Sequence, residues 1–420
     1  MNKKKTFSIV SLGCFRNTYD SEVIAEKFCG QGYKFLPQGT LAKDKKVSIL
    51  LINTCGFIDK AKEESINAIK DALQLKKNKK IDKIFVFGCL VQRYHRQLKK
   101  FFPEVDQWQG VEKFSSCFKK RKSLISRTYD FLKICEGCLN NCSFCSIPAI
   151  KGPLSSRPLE EVIREAKFLD RSGIKELNII GQDISGWGKD LGSGYDIVKL
   201  LRAVVKATSK IPWIRLIYTH PRNVTTELLE LIAKEPRICK YIDLPIQHIN
   251  DRILKLMNRG FDRKQTQSLI YKIRKIMPDC VIRTSVITGF PTETEREFQE
   301  LLRFLKEIRF ERLGVFTYSR EEGTPAYNLR PQVHYRRKER RFRQIMEIQQ
   351  GIAYEINNSL VGKPIDVLIE GKESGIFIGR TQYDAPEVDG VVFARRKGLK
   401  VGGFYRLKVV DSYEYDLVAE

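Results

Sequence analysis

The sequence predicts an α/β protein in three parts: an N-terminal α/β domain on a parallel sheet, a central (β/α) barrel, and a small antiparallel β-barrel at the end. Three observations predict this. Short apolar runs alternate with amphipathic stretches as far as about residue 356. In the N-terminal part those runs are largely apolar, as in strands buried on both faces of a parallel sheet. After residue 356 the pattern changes to short alternating runs broken by glycines, the mark of antiparallel strands.

Within residues 1–124, segments 8–12, 47–52 and 84–87 read as strands, and 20–29 and 59–75 carry apolar residues at the three- and four-residue spacing of amphipathic helices. Residues 119–126, rich in Lys, Arg and Ser, read as a linker. From 127 to 356 the candidate strands are 128–132, 176–180, 214–217, 241–244, 281–287 and 314–317, with helical patterns between most of them. Such a series without an antiparallel signal predicts a whole or partial (β/α) barrel, whose active site lies at the C-terminal ends of its strands. A charged helix over 335–358 leads into 357–420, where 365–369, 390–393 and 405–410 predict the small β-barrel.

The chain is too long for one ordinary domain, and no stretch approaches the roughly 18–20 apolar residues of a membrane helix. Lys3 to Lys5 and the short apolar run after them superficially resemble an export signal. That run is broken by serines and falls at the bottom of the usual range of about 7–15 residues. A first strand ending in a cysteine loop explains it better, and a cytoplasmic protein without membrane association is expected. Eleven cysteines, an odd number, then point to metal or redox chemistry rather than a disulfide framework. The net charge of +25 points to a nucleic-acid or ribosome-rich neighbourhood, although the lysines are spread along the chain.

The strongest motif is Cys138-Leu-Asn-Asn-Cys142-Ser-Phe-Cys145, on a loop after the first barrel strand. Three thiolates this close can hold three irons of a [4Fe–4S] cube, which ordinarily takes four cysteines; the fourth iron is left open. The competing reading is a zinc site completed by Cys135, but zinc usually takes paired C-x2-C knuckles from separate elements. In the N-terminal domain Cys14, Cys55 and Cys89 each follow a strand, and in a parallel sheet such loops converge on one edge. A glycine beside each lets the backbone approach a bulky inorganic group, against the alternative of three buried apolar cysteines. Cys29, Cys117, Cys239 and Cys280 lack this setting and read as structural.

With these motifs the whole chain resembles the radical S-adenosylmethionine (SAM) methylthiotransferases, a family including the ribosomal-protein-modifying RimO and the tRNA-modifying MiaB enzymes. The order is the family's: cluster domain (1–124), radical SAM barrel (127–356) and TRAM barrel (357–420). The resemblance implies two [4Fe–4S] clusters and SAM. The open iron at Cys138, Cys142 and Cys145 chelates SAM, whose reductive cleavage yields a 5′-deoxyadenosyl radical. A second cluster at Cys14, Cys55 and Cys89 carries the sulfur to be inserted.

By the same resemblance Phe144 shields the first cluster, and Gly181, Gln182 and Asp183 lie where the methionine amino group is bound. Gly289 permits close backbone approach to adenine and methionine in the loop from Val286 to Glu293, where Thr292 replaces a usual second glycine. Arg157 meets the cofactor carboxylate or the substrate, and Gln247 and His248 lie in a block near the active site that contacts substrate. Taken alone these are ordinary loops, and His248 a structural histidine. No acid–base pair is assigned, since hydrogen abstraction by a carbon radical needs none.

Two substrates compete. From Leu360 to Glu420 there are 9 Lys+Arg against 10 Asp+Glu, a net of −1 that leaves +26 for the remaining chain. An RNA-binding barrel ought to be the basic part, so this one reads as adapted to a basic protein, with Asp384, Glu387 and Asp389 as substrate contacts. The 384–393 segment and the Tyr413–Val418 ending resemble the RimO version of the barrel. The resemblance thus implies methylthiolation of an aspartate β-carbon in ribosomal protein S twelve, with a flavodoxin or ferredoxin as low-potential electron donor and a sulfur source that sequence does not reveal. The alternatives are a tRNA adenosine substrate, a non-catalytic iron–sulfur electron carrier, and a zinc-bearing ribosome-associated protein.

Overall fold

The computed structural model describes residues 5–37, 46–111, 121, 123–124 and 127–420. Cys117 and most of the 119–126 linker lie outside these residues. The chain forms two compact units, one of Met1–Ser126 with Glu136–Cys138 and Cys145–Arg157, the other of Arg127–Cys135, Leu139–Phe144 and Pro158–Glu420.

In the first unit the elements run β1 (Thr6–Ser11), α1 (Phe15–Gly30), β2 (Lys34–Phe35), β3 (Val47–Thr54), α2 (Asp59–Lys77), β4 (Ile81–Gly88), α3 (Cys89–Phe101) and β5 (Gln107–Gln109). The sheet order is β2-β1-β3-β4-β5, parallel throughout. Because successive side chains on a strand point to opposite faces, Leu50 and Ile52 of β3 join one buried cluster with Ile69 of α2 and Leu90 of α3. Leu51 joins the other, with Phe7, Ile24, Phe85 and Phe87. Each fully buried side chain of this size contributes about 1.5–3 kcal/mol, which fixes the strand ends and so the three cysteine loops.

The first unit also takes in α4 (Ile147–Lys151) and β8 (Ser155–Ser156), while the second opens with β6 (Tyr129–Lys133), and the short β7 (Cys135–Glu136) spans the boundary. The series then runs α5 (Leu159–Arg171), β9 (Glu176–Ile180), α6 (Ile197–Ala207), β10 (Trp213–Leu216), α7 (Thr226–Lys234), β11 (Tyr241–Asp243), α8 (Asp251–Leu256), α9 (Arg263–Ile276), β12 (Val281–Thr288), α10 (Glu295–Ile308) and β13 (Arg312–Thr317). Six parallel strands form two sheets, β10-β9-β6 and β11-β12-β13. Backbone bonds from Cys239 N to Ile214 O (2.9 Å) and Thr219 N to Asp243 O (2.9 Å) join the halves. Among the described residues β6 and β13 do not pair, so the barrel is partial.

Helix α11 (Tyr335–Asn358) leads to a closed barrel of β14 (Pro364–Glu373), β15 (Ile376–Arg380), β16 (Val392–Ala394), β17 (Phe404–Ser412) and β18 (Leu417–Ala419), in the order β14-β15-β16-β18-β17. It seats on the N-terminal ends of the parallel strands. Glu176, at the start of β9, is fully buried and binds Arg215 Nε (2.6 Å) and Arg380 Nη2 (2.6 Å). Trp213 meets Phe404 edge-on with ring centroids 4.8 Å apart.

This seating corrects one expectation. Asp384 is paired with Arg312 at 2.6 Å, and Asp389 accepts from Tyr241 Oη at 2.7 Å and lies 3.4 Å from Arg283. Glu387 accepts from Tyr129 Oη. All three carboxylates are bound by barrel residues at the end of the strands opposite the loops expected to act. They fasten the small barrel in place.

Candidate functional site

Cys14 sits at the N-cap of α1, Cys55 just beyond β3, and Cys89 opens α3 directly after β4. All three therefore emerge from the C-terminal edge of one parallel sheet. Two glycines set their approach. Gly13 has φ +92°, and a Cβ there would stand 2.9 Å from Cys55 Cβ and 3.0 Å from its sulfur. Gly88 has φ +103°, and a Cβ there would stand 2.3 Å from Asn53 Oδ1. No side chain fits either place.

Asn17 ties the loops together. Its Nδ2 donates to Leu12 O (2.7 Å) and Thr54 O (3.3 Å), and its Oδ1 accepts from the Cys89 thiol (3.9 Å). Burial works against the Cys14 thiolate, yet Arg16 and the backbone N–H groups of Asn17 and Arg16 hold its pKa below the usual value. Burial raises Cys55 and pushes Cys89 up to about 12 against the pull of Lys151. Lys151 is itself buried, 2.7 Å from Glu136 and 3.3 Å from Asp20. Burial disfavours its charge, but Asp20, Glu136 and Cys89 more than restore it. Cluster assembly at such a site releases protons from thiols under the pull of a nearby cation. Among the described residues no three His, Cys, Asp or Glu side chains close in as a single metal ion requires; a cube takes its thiolates on separate corners and accommodates a wider set.

In the second unit Gly181, Gln182, Asp183, Gln247 and Gly289 follow the C-terminal ends of the strands, where barrel active sites lie. The loop segment Leu139–Phe144 is bolted to the turn after α8. Ser143 N donates to Met257 O (3.0 Å), Ser143 Oγ to Leu256 O (2.6 Å), and Asn258 Nδ2 to Asn141 O (2.8 Å). Phe144, partly buried, packs against the buried cluster of Ile253, Met257, Ile287, Phe290 and Tyr318.

The Asp183 carboxylate accepts from Asn140 Nδ2 of that loop (2.8 Å), Asn223 Nδ2 (3.1 Å) and Ser185 N (3.0 Å), so it fixes loops around it. Cys135 is fully buried beneath the same turn. A Cβ on Gly181 would stand 2.5 Å from its sulfur, which donates to Asp183 O at 3.7 Å. Arg157 is 4 % exposed and donates to Tyr19 Oη at 3.3 Å within the first unit.

Two further expectations change. His248 is fully buried; its Nδ1 accepts from Asn250 N (3.0 Å) and its Nε2 lies 3.3 Å from Glu293, which Arg341 also holds at 2.8 Å. It is a satisfied structural histidine, not a substrate contact. Gly289 makes room for Lys338, whose Cγ would lie 2.4 Å from a Cβ there; the close approach is to this side chain. Gln247 does present an unusual backbone, with φ +71° and its amide and carbonyl bonded to Ser285 O and Ile287 N, both at 2.8 Å. Such strain collects where a side chain must be aimed.

Thr292 explains the missing glycine. It keeps the left-handed conformation, with φ +68°, held by Arg252, which donates to its Oγ1 (3.0 Å) and carbonyl (2.9 Å). A residue with a Cβ there costs about 1–2 kcal/mol, and the hydroxyl bond returns about 0.5–1.5. Thr292→Gly is therefore expected to raise stability by about 0.5 kcal/mol in urea unfolding, the difference of the two. A loss of stability would show the Arg252 clamp to outweigh the strain.

Sequence reading missed Asn17, the buried charge of Lys151, and Arg259, whose guanidinium reaches Cys142 from 117 positions away. Asn17 stands three residues after Cys14 and Lys151 six after Cys145, close to cysteines the sequence marks; nothing in one sequence signals the third.

Residues 132–305 match the radical SAM superfamily, 6–110 an uncharacterized protein family, UPF0004, and 361–420 the TRAM domain. A solved radical S-adenosylmethionine methyltransferase, TsrM from Kitasatospora setae, with cobalamin and a [4Fe–4S] cluster bound, is similar in fold. Its TM-score is 0.54 at 14% identity, over 86% of this chain and 79% of that one. Fold and site thus define a radical SAM enzyme. Ribosomal protein uS12 methylthiotransferase RimO of Christiangramia forsetii is 40% identical over 100% of this chain and 94% of its own. The protein of that name from Thermoanaerobacter sp. is 42% identical over 99% of this chain and 100% of its own. The chain belongs to the RimO family of radical SAM methylthiotransferases.

Proposed function

We propose that this chain transfers a methylthio group to the β-carbon of an aspartate in ribosomal protein uS12, the small-subunit protein S twelve, using SAM and two [4Fe–4S] clusters. One observation carries this: a chain about 40% identical to RimO along its whole length holds two separate three-cysteine sets. Each set leaves a cube one ligand short. An electron carrier ordinarily completes its clusters, and a zinc site closes its coordination.

Cys138, Cys142 and Cys145 hold the cluster that binds SAM, and Cys14, Cys55 and Cys89 the one that presents sulfur. When bound, these groups supply the radical and the sulfur. The chain's own residues orient and exclude. Phe144 keeps water from the SAM cluster, while Asp183 and Asn140 clamp the loop that carries Cys142. Gly181 and Gln182 face the methionine end, Arg157 a carboxylate, and Gln247 the substrate. Asn17 and Lys151 hold the second cysteine set. The parts at 1–124, 127–356 and 357–420 act as sulfur-bearing domain, radical barrel and accessory barrel.

The charge of the C-terminal barrel carries less weight than its count implied, because Asp384 and Asp389 are paired internally. Support for a protein substrate rests on the family. A flavodoxin or ferredoxin is the proposed low-potential reductant, and a chain of net charge +25 favours a partner with an acidic docking face. Among the described residues no helix is long and apolar enough to cross a membrane, and the proposed compartment is the cytoplasm, where ribosomes are.

The test is anaerobic reconstitution with SAM, reductant and sulfide, with recombinant uS12 and tRNA offered separately and both products weighed. A methylthio increment on an aspartate peptide is expected. An increment on tRNA alone would overturn the substrate. Neither increment, with no 5′-deoxyadenosine released, would overturn the chemistry.

A further inference from the structure

We infer that Arg259 sets the reduction potential of the SAM-binding cluster by donating a charge-assisted hydrogen bond to the sulfur of Cys142. The inference rests on the reading of Cys142 as a cluster ligand. Arg259 Nη1 lies 3.1 Å from Cys142 Sγ, and both residues are buried, 5 % and 8 % exposed. Nη2 donates to Pro245 O at 2.7 Å, so the planar fork is locked between a backbone carbonyl on one loop and the thiol on another. The guanidinium stands 5.2 Å from the centroid of Phe261, which covers it.

The turn that delivers it is built for the purpose. Asn258 adopts φ +55°, a left-handed conformation that asparagine tolerates, and its side chain bonds Asn141 O at 2.8 Å, next to Cys142. Register between the arginine and the cysteine is thus held by two contacts. Nearby His220 adds no second charge: burial first, then Arg259, Arg222 and Lys189, press its pKa down to about 2.

Reducing a cluster adds negative charge that spreads onto its sulfurs. A guanidinium donor in a site of low dielectric stabilises the reduced form more than the oxidised one. Hydrogen bonds to sulfur and net charge are levers by which proteins move cluster potentials. Arg259 therefore makes the electron easier to deliver. It is a positioning and tuning residue and forms no bond to the reacting atoms.

The experiment uses the full chain with Cys14, Cys55 and Cys89 each replaced by Ala, so that one cluster remains. Iron content and the midpoint potential are followed by an EPR redox titration. Arg259→Gln is expected to lower the potential by about tenfold or more in the reduction equilibrium, ~59 mV for one electron. Arg259→Lys, which keeps the charge without the fork, is expected to recover part of that shift. Should the Gln variant lose its iron, the Lys variant still reads a smaller fall in the same direction. An unchanged potential in iron-loaded variants would overturn the inference and leave the cluster assignment standing. Absence of iron from the triple variant with Arg259 intact would bring down both.

Discussion

Cys55→Ala is expected to abolish methylthio transfer, by at least about 10³-fold, while 5′-deoxyadenosine is still formed from SAM; Cys142→Ala is expected to abolish both. The asymmetry follows from the two cysteine sets having different duties. Cys55 belongs to the sheet-edge set of the first unit, and its substitution removes one sulfur while its neighbours keep their places. Ser65 Oγ bonds the Cys55 amide at 3.0 Å and its carbonyl at 2.9 Å, both through the backbone, so the loop survives the change. Asn17 still bridges Leu12 and Thr54. Iron content should fall by about half, the loss of one cluster of two. Cys142 by contrast sits in the segment that Ser143, Asn258 and Arg259 fasten beneath the strand ends. Without its sulfur, Arg259 is left as a buried cation and the SAM-binding cluster lacks a ligand. Methylthio transfer surviving in Cys55→Ala would mean that sulfur is delivered without the first-unit set. Loss of SAM cleavage in that variant would mean the two sets do not act separately.

What the residues reveal in sequence, and what they hide, divides along a physical line. Strands such as Val47–Thr54 and Ile81–Gly88 were legible because a parallel sheet buries both faces and leaves apolar runs such as 49–52 and 84–87. The cysteines were legible because ligand chemistry demands fixed residue types at loop positions after strands. Ile376–Arg380 and Leu417–Ala419 were missed: strands of five and three residues in a closed barrel carry too little pattern. The side-chain duties of the C-terminal barrel were misread for a related reason. A carboxylate in a loop looks solvent-facing in sequence, and only the fold shows that Asp384 meets Arg312 from 72 positions away. His248 and Gly289 sit in blocks near the site, but motif proximity does not say whether a side chain faces the cleft or Glu293 and Lys338 behind it. Long-range partners such as Arg259 and Cys142 are set by packing, which one sequence does not encode locally.

Glu176→Ala is expected to destabilise the second unit by about 3–5 kcal/mol, because it strips the one carboxylate lying between two buried arginines. Arg215 is fully buried; among the described residues its guanidinium bonds Glu176 and the carbonyl of Gln382 (2.8 Å) and stacks on the Tyr241 ring at 4.7 Å, and its Nη2 has no hydrogen-bond partner. Arg380 keeps Glu370 at 2.7 Å, so the change leaves one cation nearly stranded and the other half-satisfied. At roughly 2–4 °C per kcal/mol for a unit of this class, the unfolding midpoint should fall by on the order of 10 °C. Burial raises the Glu176 carboxyl, but Arg215 and Arg380 overcome it and hold its pKa below the ordinary 4.5. A carboxyl depressed on folding adds stability that is present above its unfolded pKa and is lost as pH falls through the folded one. The difference between wild type and Glu176→Ala is therefore expected to be full at pH 6–7 and to shrink below about pH 4. Replacing Glu176, Arg215 and Arg380 together with apolar residues of similar volume should recover much of the loss, since the penalty lies in unpaired charge. Because this triad stands at the N-terminal ends of the strands, SAM cleavage by the folded fraction well below the midpoint is expected to stay within about twofold of wild type. A stability loss under about 1 kcal/mol would show that water reaches the arginines and that the small barrel is not held by this network.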